Sequence, residues 1–170
     1  HPGHANRGTG PSRNLGLVQA RGRYATFLDA DDVYLPERLA RHADALTTHR
    51  RAQLVISHEI YWHQWPRESD PGAVRSDEVV GPVTEYATPV NPPVLLRTAL
   101  RQRGAAMPTP SSITFDRQLA LDIGAIPERF TSQYEDQALI AKLMLVAIAV
   151  VLDTPLVKYR QHEASLTHRL

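Results

Sequence analysis

Cysteine is absent from this sequence of 170 residues, so it can build no disulfide framework, thiolate metal site or thiol nucleophile. The absence is also compatible with a reducing cytoplasm. A surplus of one charge sign is missing as well. Nineteen Lys and Arg against eighteen Asp and Glu leave a formal charge of +1, which gives no footprint for nucleic acid or an anionic membrane. Long apolar runs are lacking, and the longest, Leu143 to Leu152, is too short to cross a bilayer. No secretory signal opens the chain. There is no internal repeat, no low-complexity tract and no helical HExxH pair among His1, His4, His58 and His63, which argues against zinc and for loop histidines.

What is present fits one domain with one core, since 42% of residues are apolar. The segment His1 to Gly8 reads as loop. Ser12 to Ala20 reads as a short helix capped by Ser12 and ended by Arg21-Gly22. Tyr24 to Leu28 is β-prone and stops at Asp29, Asp31 and Asp32. Pro36-Glu37 starts a helix whose stripe is Leu35, Leu39, Ala43 and Leu46, and Leu54 to Ser57 is the next strand. Strand, helix and strand in succession predict a parallel α/β sheet. Beyond a variable loop from His63 to about Tyr86, helices are predicted at Val94 to Gln102 and Arg117 to Ile123, with a strand at Ser112 to Phe115. Glu135 to Ala147 carries the stripe Leu139, Leu143 and Val146. Two closing strands split by Pro155 follow, then a polar tail from Arg160 to Leu170.

Three carboxylates within four residues repel one another unless a cation or hydrogen-bond donors compensate them. Mg²⁺ or Mn²⁺ suits such oxygens and takes its other ligands from water and phosphate. The position also fits, because α/β sheets bind ligands beyond the carboxyl ends of their strands. On composition alone the same acids serve equally as turn formers and a helix cap. An EF-hand is excluded, because Val33 and Tyr34 stand where that loop needs a ligand and a glycine. Trp62 and Trp65 flank a proline-rich loop and either stack on a sugar ring or, the simpler reading, pack against the sheet edge.

The run Gly8-Thr9-Gly10-Pro11-Ser12-Arg13-Asn14-Leu15-Gly16-Leu17 and the DxD segment from Tyr24 to Leu39 resemble family 2 glycosyltransferases of GT-A fold. Glu135-Asp136 resembles that family's ED motif, and Lys158 to Thr167 is similar to a closing segment of many bacterial members. The resemblance implies a Rossmann-related mixed, mainly parallel sheet flanked by helices. Residues 1–170 would be one domain, the C-terminal two-thirds of the catalytic domain, without its first strands. It implies metal-dependent transfer of a sugar from a nucleoside diphosphate to a carbohydrate, lipid-linked or other hydroxyl acceptor, with inversion. Asp29, Asp31 and Asp32 would hold Mn²⁺ or Mg²⁺; Arg13, Arg160 and His162 would join them in binding the donor; Asp136, beside Glu135, would be the base. A helix N-terminus would keep Asp136 ionised. The cell would place such a protein in the cytoplasm, peripheral to the inner face of the membrane, in envelope polysaccharide synthesis. A sugar-nucleotide nucleotidyltransferase and an inactive carbohydrate-binding or scaffolding fragment are the alternatives.

Overall fold

A computed structural model of the chain describes residues 6–65, 75–102, 107–129 and 134–162. The expected opening loop up to Ala5, the approach to the ED pair from Phe130 to Gln133 and the tail from Glu163 lie outside these residues.

The order is α1 (Thr9–Gln19), β1 (Tyr24–Ala25), β2 (Val33–Tyr34), α2 (Arg38–Thr48), β3 (Leu54–Trp62), β4 (Glu78–Val80), β5 (Pro89–Val90), α3 (Val94–Arg101), β6 (Ile113–Asp116), α4 (Arg117–Asp122), α5 (Glu135–Val146) and β7 (Ala149–Arg160). Seven strands form one mixed sheet whose main path runs β1-β6-β3-β7-β2, with β4 beside β3 and β5 beside β7. The sheet is mixed as expected, but its parallel part is smaller. Only β3 and β7 pair in parallel among the described strands; the five other pairings are antiparallel. The strand-helix-strand order fixed the direction of β1 relative to β3 alone, and those two do run the same way, on either side of the reversed β6.

Pro155 does not split the last strand. The register jumps from Ser57 opposite Leu152 to His58 opposite Pro155, so Asp153 and Thr154 form an irregularity that accommodates a residue with no N–H. One continuous β7 results, and it carries Arg160 to the same end of the sheet as Trp62.

Alternation along β3 and β7 sends side chains to two faces. Leu54, Ile56, Ala149 and Val151 pack with Leu17, Phe115, Leu139, Ile140, Leu143 and Met144 in the main core. Val55 and Val150 meet Ala45 and Leu46 on the other side. The sheet is thus covered by α1, α3, α4 and α5 on one face and by α2 on the other. Each fully buried Leu or Ile contributes roughly 1.5–3 kcal/mol.

Helix faces differ from the expected stripes where polar groups find partners. On α2, Leu39 is 59% exposed, while Arg38, His42, Ala45 and Leu46 are buried. On α5, Val146 is outside the core and Leu139, Ile140, Leu143 and Met144 are inside it. Ser12 is not a cap: α1 starts one turn earlier, after Gly8 at φ 87°, and the Ser12 hydroxyl donates back to the Gly8 carbonyl at 2.7 Å. Among the described residues, no helix is long and apolar enough to cross a membrane.

Candidate active site

Helix α1 places Thr9 and Arg13, four residues apart, on one face. Arg13 donates from Nη2 to Asp29 Oδ1 at 2.5 Å and from Nη1 to Glu135 Oε1 at 3.1 Å. The Thr9 hydroxyl donates to the same Glu135 oxygen. Close approach needs Gly10, where an added Cβ would meet Ile126 Cγ2 at 3.2 Å and Glu135 Cγ at 3.5 Å. Asn14 fixes the helix by donating to the Ile126 carbonyl at 2.8 Å and accepting its N–H at 2.9 Å. One guanidinium therefore joins the acidic loop to the first turn of α5.

The three loop acids have separate surroundings. Asp29 is held by Arg13, and its N–H donates to Ser111 Oγ at 3.2 Å. Asp32 is buried; it accepts from Ser111 Oγ at 2.6 Å and from the Arg160 N–H at 3.2 Å. Burial nonetheless outweighs those bonds and lifts its pKa to about 6, with Asp29 and Asp31 adding repulsion. Asp31 is the open one: its carboxylate is 44% exposed and Oδ2 lies 3.1 Å from His162 Nε2.

No three described His, Asp or Glu side chains converge on one point that could hold an ion. The donor set is compatible with a hard cation that keeps most of its shell as water and phosphate, and Asp31 with His162 would be the side chains open to it. An imidazole beside a carboxylate favours Mn²⁺ over Mg²⁺. Asp29 and Asp32 are occupied by Arg13, Ser111 and the Arg160 backbone.

Behind the loop lies Arg38, fully buried and without a carboxylate partner among the described residues. Its guanidinium donates to Thr114 Oγ1 at 3.0 Å, Thr26 Oγ1 at 3.1 Å, and the Ser111 and Ile113 carbonyls at 3.0 and 2.8 Å. Tyr34 covers it at 4.8 Å. Burial lowers its pKa to about 10, so it stays cationic at neutral pH, while burial first and Arg38 second push His42 down to about 2. His42 is thus neutral, sharing Thr114 Oγ1 at 3.0 Å. Arg38 ties Thr26, just before the acids, to Ser111, which serves two of them.

Glu135 and Asp136 open α5 as expected, after Tyr134 at φ 64°. Asp136 Oδ1 accepts the Gln137 N–H at 2.7 Å. Its pKa is raised, chiefly by burial, with the Gln137 bond opposing and Glu135 adding repulsion. Partial burial is thus the largest influence on this carboxyl. Glu59, on β3, is 2% exposed and accepts from Thr109 Oγ1 at 2.5 Å; burial lifts its pKa to about 7. At the sheet's end, Arg160 Cζ stands 5.1 and 4.8 Å from the Trp62 and Trp65 ring centres.

Of the histidines set aside as loop residues, His58 is in β3, 3.3 Å from the Pro82 carbonyl and edge-on to Tyr86. His63 lies just beyond β3, and His1 and His4 fall outside the described residues.

The sequence pattern of glycosyl transferase family 2 matches residues 2–120. The chain belongs to that family. The glycosyltransferase MJ1057 of Methanocaldococcus jannaschii is 42% identical over 52 residues, 31% of this chain and 18% of its own length. The succinoglycan biosynthesis protein ExoO of Rhizobium meliloti is 53% identical over 36 residues, 21% of this chain and 10% of its own. Among solved structures, residues 1–349 of S. aureus TarS in complex with UDP-GlcNAc superpose with a TM-score of 0.67 at 21% identity, over 96% of this chain and 42% of that one. The chain spans less than half the length of these relatives. The likeness to TarS establishes the fold, a mixed sheet flanked by helices as in GT-A glycosyltransferases.

Within the family frame, the expected residues gather as Arg13, Asp29 and Glu135 on one side and Asp31, Asp32, His162 and the Arg160 backbone on the other. Sequence reasoning missed Asn14, Arg38, Glu59 and Ser111. Asn14 stood inside the motif that carries the resemblance, and its place beside Arg13 was the signal. The other three had none, since a charged or small polar residue in a strand or helix reads as solvent-facing.

Proposed function

We propose that this chain carries catalytic residues of an inverting, metal-assisted transfer of a sugar from a nucleoside diphosphate to an acceptor hydroxyl. The observation that carries this reading is the link from Asp31 and its His162 partner, through Asp29 and Arg13, to the ED pair. It unites a candidate cation site with a half-buried carboxyl of raised pKa, the two parts that displacement at an anomeric carbon requires.

Asp31 and His162 would hold Mn²⁺ or Mg²⁺, which when bound neutralises charge on the departing diphosphate. Arg160 adds a cation to the same phosphates. Arg13 keeps Asp29 and Glu135 in place and leaves Asp136 as the carboxylate to accept the acceptor's proton. As that hydroxyl oxygen bonds to the anomeric carbon, the bond from that carbon to the phosphate oxygen breaks, and its electron pair leaves with the diphosphate. Asp136 retains the proton. Its raised pKa suits this, because it makes the carboxylate a stronger proton acceptor than an ordinary aspartate.

UDP-GlcNAc in TarS supports a sugar nucleotide as donor. The part ExoO takes in succinoglycan biosynthesis supports a saccharide acceptor. The test is release of nucleoside diphosphate from a panel of UDP-, GDP- and dTDP-sugars with Mn²⁺, by protein that includes these residues. Metal-dependent release, lost in Asp31→Ala, is the expected result. No release with any donor, with or without saccharide acceptors, overturns the reading.

A further inference from the structure

The chain has two tryptophans, and both stand against one guanidinium. Trp62 lies opposite Arg160 at the ends of the parallel strands β3 and β7, so the two side chains leave the same face of the sheet. Arg160 Cζ is 5.1 Å from the Trp62 ring centre and 4.8 Å from that of Trp65. Trp65 is fixed in turn: its Nε1–H donates to the Gln161 carbonyl at 2.9 Å, and its ring meets His162 edge-on at 6.3 Å. Lys158, two residues back on β7, puts Nζ 4.9 Å from the Trp62 ring centre.

The arrangement holds a cation without neutralising it. Arg160 Nε is buried with no acceptor, and no carboxylate of the described residues pairs with Arg160. Arg160 as a whole is half-buried, and a buried N–H such as its Nε ordinarily finds an acceptor. Indole faces attract a guanidinium and restrict its rotamers, yet they accept none of its N–H bonds in the way a carboxylate would. An Asp or Glu in place of either indole would fix the arginine equally well and consume its charge. The terminal N–H groups of the guanidinium thus remain available to an anion arriving beside Asp31 and His162.

We propose that Trp62 and Trp65 are positioning residues that hold Arg160 ready for the donor's diphosphate, and that their emission reports its arrival. This rests on the donor-site reading above. The test is calorimetric and fluorescence titration of the protein with UDP, GDP and dTDP in Mn²⁺. The unsubstituted protein should bind one of them with a change in tryptophan emission that saturates at the calorimetric Kd. Trp65→Leu should raise that Kd roughly tenfold, the scale of one partly desolvated cation–π contact. The donor KM should rise with it while kcat at saturating donor stays close to the parent's. Trp65→Phe, which keeps an aromatic face, should recover most of the loss.

A Trp65→Leu protein that melts like the parent and binds within about twofold of it overturns the inference and leaves the donor-site reading standing. Should that variant fail to fold, equal affinity in Trp65→Phe and Arg160→Gln, or binding without an emission change in the parent, overturns it instead. Failure of the parent to bind any of the three overturns the donor-site reading, and this inference with it.

Discussion

His162 Nε2 lies 3.1 Å from Asp31 Oδ2, although 131 positions of chain separate the two residues. Among the described residues Asp31 has no other hydrogen-bonding partner, and its exposure leaves room for water and phosphate on the far side. The pair should therefore act as one metal-binding unit. Asp31→Ala and His162→Ala are each expected to weaken Mn²⁺ binding by about 10- to 100-fold, with melting temperature near the parent's because neither side chain packs in the core. Titration of Mn²⁺ by calorimetry or by electron paramagnetic resonance measures this. Unchanged affinity in both variants would remove the metal from these residues.

Asp136 is expected to behave as a base rather than as a helix start. Asp136→Asn should lower kcat by roughly 10²–10⁴-fold with the donor Kd little changed. Because burial raises its pKa, turnover of the parent should fall as pH drops through that raised value, and this acid limb should be missing from the residual activity of the variant. A pH–rate profile with the limb intact in Asp136→Asn points to another base.

Glu135, next to it, has a different task. Its carboxylate accepts from both Thr9 and Arg13 and is 9% exposed, so Glu135→Gln leaves a mostly buried arginine with one acidic partner in place of two. The expected loss is about 1–3 kcal/mol of stability, the usual cost of unpairing a buried polar group, with a smaller loss of kcat than Asp136→Asn. Denaturant melts and steady-state kinetics on the two variants separate these outcomes. A larger kcat loss in Glu135→Gln than in Asp136→Asn reverses the assignment.

Glu59 predicts a pH dependence of folding. Its pKa is about 7 in the folded chain against an ordinary 4.5, so the folded state binds the proton more tightly. Both states carry it below pH ~4.5; between there and ~7 the unfolded state releases its proton first, and stability falls as pH rises. The full effect is on the order of 3 kcal/mol. Glu59→Gln keeps the shape without the charge and should flatten the fall in melting temperature between pH 5 and pH 8. An equal slope in parent and variant would assign the dependence to another group.

How much of this was readable in advance depended on whether a residue's partner was local. Asp31, Glu135 and Asp136 stand in short motifs at a turn after a strand and at a helix start, and local chemistry marked them. Arg38 did not stand out, because burying a guanidinium requires Thr114 and the Ser111 and Ile113 carbonyls, which arrive more than seventy residues later. Periodicity therefore assigned Leu39 to the core, and the sheet took Arg38 and His42 instead. The strand β3 was likewise read as ending at Ser57, where polar His58 and Glu59 interrupt the apolar run. Pairing with β7 carries it on to Trp62. Pro155 was expected to stop a strand because no sequence rule reveals a register irregularity opposite His58.

The contacts that steady the acidic loop also have an order in time. A ribosome releases Asp29, Asp31 and Asp32 early, Ser111 and Glu135 much later, and Arg160 and His162 last, at about 5–20 residues per second. Until β7 is synthesised and docks beside β3, Asp32 lacks the Arg160 N–H and Asp31 lacks its imidazole. A nascent chain stopped near residue 150 would thus display an acidic cluster compensated only in part, by Arg13 and Ser111, and an unpaired β3 edge, a surface on which chaperones or neighbouring chains can act. Docking of β7 is therefore the step at which newly made protein completes the electrostatics of these acids.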